Sequence, residues 1–375
     1  MKRRRSAQLE QPTSSVITAG FVVFCIAVAF VILMLTGMTY QLDDIKIFGL
    51  FVGGALCLAV WAGLWALGKV QMTPIYVCYG YAAYVIVSVL STLAAADFAE
   101  WLGWYYVYYY LSTFGFLLLG SAVVQNRKMV ERSLKFWVLI TFITTCFGLM
   151  HYFGMLEMFY DVLYPAGRPL DDDRFHDVLI TFIKNRSMLS TILNVQFFGN
   201  LLLMLLPVTA ALTMTAFRNL RGHMSMGEST IMPWIWLVMS ALCVVFSVAC
   251  IFMTFSKSSI AFLPVVIVAF FVCIYLFAGV RRIPYFWLMI VLALIMGATM
   301  LHFTGGDLRA QFKNVEESLG PRAIIFSGAW NIFTDLPILG GGPGSCRLLF
   351  PEFRSPDYHL NRVSNLTLYA HNWVL

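Results

Sequence analysis

Charge is the scarcest property of this 375-residue chain. Only 12% of residues are Asp, Glu, Lys or Arg, 60% are hydrophobic, and the mean hydropathy is +0.79. A water-soluble domain carries far more charge on its surface, so that class is excluded, and an all-α, polytopic integral membrane bundle is expected. Linkers are lacking too. No Ser/Gly/Pro-rich connector, low-complexity tract or repeat divides residues 1–375, which read as a single polytopic domain. Cysteine is nearly absent outside apolar stretches. Positions 25, 57, 78, 146, 243, 250 and 273 fall inside them, leaving Cys346 alone in a loop. One thiol cannot form an intrachain disulfide there, and no Cys/His spacing suggests a metal site, so no metal is expected. The net charge of +6 is modest, and no nucleic-acid partner is expected.

What is present is a succession of apolar stretches long enough to cross a bilayer. They lie at about 16–37, 46–67, 74–95, 103–124, 136–155, 197–216, 231–254, 260–280 and 284–303, with a tenth beginning at 371–375. Ser14–Gly37 is longer than a signal-peptide core and has no small-residue cleavage site after it, so it reads as an anchor. Lys2, Arg3–Arg5, Lys69, the run QNRKMVERSLK at 125–135, Arg218, Arg221, Arg281 and Arg282 all fall on one side. The positive-inside rule makes that side the cytoplasm and puts the N-terminus there. The segments 156–196 and 304–370 then lie outside, and five of the six histidines (151, 176, 302, 359 and 371) fall on or near the outer face. The spans themselves are nearly free of ionisable residues, which argues against an ion-coupled transporter, although not against a lipid flippase. Any chemistry therefore belongs to the external loops.

Four stretches carry residues suited to it. RAIIFSGAWNIFTDLPILGGGPGSC, 322–346, reads as a short amphipathic helix after Pro321, stopped at Leu336-Pro337 and followed by a glycine-rich turn. Gly341, Gly342 and Gly344 let a backbone approach a ligand closely, and successive N–H groups can form an anion nest; the plainer reading is a flexible turn. Arg322 before the helix and Arg347 after the turn add guanidinium groups suited to phosphate or pyrophosphate. AHNWVL, 370–375, places His371 and Asn372 at a membrane mouth, where imidazole can take a proton from a hydroxyl or can simply sit at the interface. TFSKSSIAF, 254–262, offers Lys257, a candidate cation whose plainer reading is snorkelling. STILNVQFFGNLLLMLLP, 190–207, opens a span with Asn194, Gln196 and Asn200, amides that can hydrogen-bond sugar hydroxyls or cap a helix.

In this order the four stretches resemble the O-antigen ligase and polymerase superfamily, inner-membrane enzymes that move glycans off undecaprenyl pyrophosphate. Arg322, the PILGGGPG turn and His371-Asn372 are similar to the family's large periplasmic loop and the His-Asn pair after it. TFSKSS is similar to its Ser-Arg-Gly turn, with Lys257 in place of Arg. ILNVQFFGN resembles its Asn-Pro-Asn helix opening, with Val195 and Gln196 in place of Pro and Asn. The likeness covers roughly residues 190–375, and the first five spans match only in being hydrophobic. It implies a metal-independent glycosyltransferase that needs no cofactor, at the periplasmic face of a bacterial inner membrane. Arg322, Lys257 and Arg347 would hold the pyrophosphate, His371 would act as general base on the acceptor hydroxyl, and Arg186 would orient donor or acceptor. Partners implied are a lipid-linked glycan donor, membrane lipids, and an acceptor that is lipid A core, another glycan repeat or a protein hydroxyl. The family continues through its late helix whereas this chain stops about five residues into it, which reads as a piece of a longer protein with His371 poorly anchored.

Two rivals stand beside this reading. Asp43-Asp44 and Asp171–Asp173 could serve a metal-dependent lipid-phosphate-sugar transferase, though solvated loop acids are the simpler account. A non-enzymatic transporter or scaffold for lipid-linked glycans is the other.

Overall fold

The computed structural model describes residues 15–33, 44–70, 76–95, 97–124, 126–155, 195–227, 229–254, 256–277 and 324–353. All regular structure among them is helical. The helices are α1 (Ser15–Leu33), α2 (Asp44–Ala66), α3 (Tyr76–Leu93), α4 (Asp97–Val123), α5 (Arg127–Tyr152), α6 (Val195–Met226), α7 (Ile231–Met253) and α8 (Lys257–Phe277). Two shorter helices follow, α9 (324–335) and α10 (Cys346–Phe353). Among the described residues seven helices, α1 to α7, are long and apolar enough to cross a membrane, and α8 contributes the shorter apolar stretch Phe262–Ile274. The chain is thus an all-α polytopic membrane protein. The expected ninth span, 284–303, lies outside the described residues.

Two boundaries differ from expectation. The basic run at 125–135 reads as a connector, yet α5 begins at Arg127, because Asn126 caps it by accepting the Met129 N–H at 2.9 Å. The sixth span was expected to stop at 216, yet α6 continues to Met226 and spans 32 residues. Its length, about 48 Å, exceeds the hydrocarbon core, so Arg218 and Arg221 ride on helix rather than loop. The Arg221 guanidinium lies over the Phe217 ring at 4.6 Å, one turn earlier.

The chain falls into two compact units, Met1–Gly53 with Ala122–Ala298, and Gly54–Ser121 with Thr299–Leu375. In the first, α5, α6 and α7 pack on one another, α8 lies on α6, and α1 on α5. The α7 residues Ser240, Cys243, Ser247 and Cys250 are buried at alternating spacings of three and four, and so are Val138, Thr141, Thr145 and Gly148 of α5. A seam of small residues at that period lets two helix backbones approach closely, which drives association where lipid is as apolar as leucine. The Cys243 thiol sits 3.6 Å from the Val138 carbonyl and the Cys250 thiol 3.8 Å from that of Thr145. The sequence separation is 105 in both pairs, so the two helices run parallel, one heptad per step. Parallel fifth and seventh helices are what a chain alternating direction at every span requires. At the start of α2, Lys46 donates to the carbonyls of Ile32 (2.7 Å) and Val31 (3.3 Å), satisfying acceptors that the end of α1 leaves orphaned.

In the second unit α3 and α4 form a hairpin through a short connector, and α4 also packs on the later turns of α2. Gly54 and Gly115 meet there with no space for a Cβ on Gly115. The helices α9 and α10 pack through Ile325, Ile332, Cys346 and Phe350. The expected helix and glycine turn of 322–346 are both present where described. The helix α10 was not expected, since Pro351 reads as a breaker.

Candidate functional site

Polar residues of two of the four stretches meet in the first unit, where α7 ends and α6 and α8 begin; of those singled out in the sequence, Asn200 takes part. Ser256 precedes α8, and its hydroxyl accepts the Ser259 N–H at 3.4 Å, a long N-cap bond across S-x-x-S. The Ser259 hydroxyl lies 3.0 Å from that of Ser256 and donates to Asn200 Oδ1 on α6 at 3.1 Å. Thr254 closes α7, its hydroxyl bonded to the Ile251 carbonyl at 2.6 Å and accepting the Ser256 N–H at 3.3 Å. A Cβ on Gly199 would overlap the Ser259 hydroxyl, so glycine at that position is what lets α6 and α8 close on this polar knot. Beneath it Phe198, Leu202, Cys250, Ile251 and Leu263 form a buried apolar cluster. Ser256 and Ser259 are buried while Asn200 is exposed, so the knot is sealed on one side and open at the amide. Lys257 is the first residue of α8 and therefore sits on this knot; its side chain lies outside the described residues.

The glycine-rich turn belongs to the second unit. Gly340, Gly342 and Gly344 have φ of 65°, 98° and 76°, the left-handed region that side chains resist. Two of these also touch the α3–α4 hairpin. A Cβ on Gly342 would stand 3.1 Å from that of Ala95, and one on Gly344 would overlap the Tyr106 ring. The Ser91 hydroxyl donates to the Leu339 carbonyl, tying the turn to α3. Ser345 closes it, donating its N–H to the Gly342 carbonyl at 3.1 Å and accepting from Leu348 and Leu349 as α10 begins. Within the described residues the N–H groups of Gly341, Gly342 and Gly344 make no hydrogen bond. Arg347 is exposed in the first turn of α10, beside those donors. Cys346, the first residue of α10, is packed against Ile325 and Phe350, and burial pushes its thiol above the ordinary range.

Residues 242–375 match the family model described as O-antigen ligase. Over that stretch the chain is similar to the O-antigen ligase family. No curated protein and no solved structure matches the chain. The matched segment takes in the second half of α7, all of α8 and the α9–turn–α10 hairpin, and so contains Lys257, Gly341, Gly342, Gly344 and Arg347. The likeness supports a membrane glycosyltransferase of O-antigen ligase or polymerase type. Of the residues expected to act, Arg186, Asn194, Arg322, His371 and Asn372 lie outside the described residues. Sequence reasoning missed Ser91, Ala95 and Tyr106, which hold the turn from outside the matched segment, and gave Ser256 and Ser259 no role. The S-x-x-S spacing ahead of α8 was a signal for the last two; nothing local marks Ser91 or Ala95.

Proposed function

We propose that this chain transfers a glycan from undecaprenyl pyrophosphate to an acceptor hydroxyl, at the periplasmic face of a bacterial inner membrane and with its N-terminus in the cytoplasm. The observation that carries the reading is the glycine turn, where the N–H groups of Gly341, Gly342 and Gly344 have no partner among the described residues and whose flank bears the exposed Arg347. Backbone donors in a left-handed turn beside a guanidinium suit a pyrophosphate, and neutralising its charge makes it a good leaving group without a metal. Arg322 and Lys257 complete the anion site in this reading, Arg186 orients a substrate, and Asn194 and Asn372 bond sugar hydroxyls. His371 takes the acceptor proton as the new glycosidic C–O bond forms and the anomeric C–O bond to phosphate breaks, with inversion at that carbon. The acceptor is lipid A core in a ligase, another repeat in a polymerase, or a protein hydroxyl.

The test is a proteoliposome assay of the full-length protein with lipid-linked glycan, each acceptor in turn, and EDTA. The expected result is release of undecaprenyl pyrophosphate with a lengthened acceptor, reduced at least a hundredfold by His371→Ala and by Arg322→Ala. Undiminished transfer in His371→Ala would falsify the base assignment. Loss of transfer in EDTA with rescue by a divalent ion would move the enzyme to the metal-dependent class.

A further inference from the structure

The helices α3 and α4 hold nine of the chain's 17 tyrosines. Tyr76 and Tyr79 at the start of α3, and Trp101 and Trp104 near the hairpin end of α4, fit the aromatic belts of the two membrane interfaces. A second group does not. Tyr106, which packs on Gly344, contacts Tyr110 with ring centroids 6.3 Å apart; Tyr110 meets Tyr84 edge-on at 4.9 Å. Tyr84 continues to Tyr81 at 6.1 Å, and Tyr81 stacks on Phe114 at 5.8 Å. Tyr84 and Tyr81 lie nine and twelve residues before the end of α3, about 14 and 18 Å along the helix. That depth is near the middle of a hydrocarbon core of about 30 Å, where no interfacial belt is needed. Nor is the column core filling, since Tyr84 is 46% exposed. The exposed side chains beside them on α3 include Ala83, Ile86 and Val87, the ordinary aliphatic face that lipid tolerates.

We propose that this column seats the hydrocarbon tail of the donor: the isoprenoid units next to the pyrophosphate run from the glycine turn over Tyr106, Tyr110 and Tyr84. This rests on the pyrophosphate-donor reading above. A lipid whose head is held at the turn must send its tail into the bilayer along adjoining surface, and the column is that surface, beginning at Gly344 and descending. Bulk acyl chains compete for any aliphatic groove, so aliphatic lining cannot select one tail from another. Ring faces and edges can, because the planar alkenes and allylic methyls of an isoprenoid match the ring quadrupole as saturated methylenes do not.

Two donors with the same glycan pyrophosphate, one on a polyprenyl tail and one on a saturated alkyl tail of equal length, test this. The unsubstituted protein should show a KM for the polyprenyl donor roughly five- to tenfold lower. Tyr84→Leu/Tyr110→Leu should bring the two KM values together while leaving kcat for both unchanged. A ratio that survives the double substitution overturns the tail seat and leaves the donor reading standing; no turnover of either donor by the unsubstituted protein overturns both. Because the double variant could misfold, a polyprenyl pyrophosphate bearing a diazirine near its head is also photolysed with the unsubstituted protein. Label on the peptides of α3 and α4, displaced by unlabelled polyprenyl pyrophosphate, supports the seat. Displaceable label confined to other helices overturns it.

Discussion

The two units bury their helices by opposite means. The first is a scaffold of small residues, in which Ser240, Cys243, Ser247 and Cys250 of α7 let its backbone approach α5 at a constant heptad register. The second carries a cluster of large rings on α3 and α4, and the glycine turn is set against that hairpin at Ala95 and Tyr106. The difference assigns distinct work to the two. A small-residue seam fixes how helices lie but leaves nothing projecting, whereas a turn resting on a hairpin presents backbone donors at a defined place. Preorganised donors cost no reorganisation when charge arrives, which is the condition for electrostatic catalysis.

The comparison breaks most visibly at Gly344. Gly344→Ala adds a Cβ into the Tyr106 ring and forces a side chain to φ 76°, so left-handed strain and overpacking combine to about 3 kcal/mol. Transfer activity should fall at least tenfold while circular dichroism shows the helical content kept. Gly340→Ala sharpens the point, because φ is 65° there but nothing lies within 4 Å of the added Cβ. Only the strain remains, about 1 kcal/mol, and activity should drop several-fold less. Equal losses at the two positions would show that contact with Tyr106 is irrelevant.

Next in size is the seam. Cys243→Leu or Ser247→Leu inserts methylenes between α5 and α7 and should destabilise the first unit by about 1–3 kcal/mol, read as a lowered midpoint of thermal unfolding in detergent. Val87→Leu, on an exposed face of α3, should leave the midpoint unmoved. A midpoint for Cys243→Leu equal to the unsubstituted one would mean that the seam is not tightly packed.

Much of this architecture was legible in the sequence because one physical signal, apolar length, is strong and local. The positions of the described spans follow from it. Helix ends were less legible, as at Arg127 and Met226, because basic residues flank an apolar span whether they ride on helix or loop. The glycine turn was legible as a turn and as a candidate anion site. What it rests on was not, since Ser91, Ala95 and Tyr106 are more than 230 positions away and each is unremarkable in its own helix. Likewise Asn200 and Ser259 were legible as polar residues near two helix starts, but their hydrogen bond across 59 positions is a product of packing.

That bond is the third place to probe. Ser259→Ala deletes the donor to Asn200 and should cost about 1 kcal/mol. If the knot positions the start of α8, the substitution raises KM for the donor through Lys257 while thermal stability shifts by only a few degrees, and Ser259→Thr, which keeps the hydroxyl, restores most of the affinity. A fall in stability with unchanged KM would reduce the knot to a structural role.

The smallest effect concerns Cys346. Its thiol is raised by burial against Ile325 and Phe350, so the folded protein holds that proton at pH values where an unfolded chain, with an ordinary thiol near 8.5, has released it. The associated stability is complete below that ordinary value and is lost as pH rises through the folded one. Because the other seven cysteines lie in apolar stretches, a charged, membrane-impermeant thiol reagent reports on Cys346. Labelling at pH 8 should be several-fold slower in folded than in denatured protein, and the gap should narrow as pH increases. A folded rate equal to the denatured one at pH 8 would mean that the α9–α10 hairpin is open in solution. The turn between those helices would then not be held ready for an anion, and the contrast between a presenting unit and a scaffolding one would lose its basis.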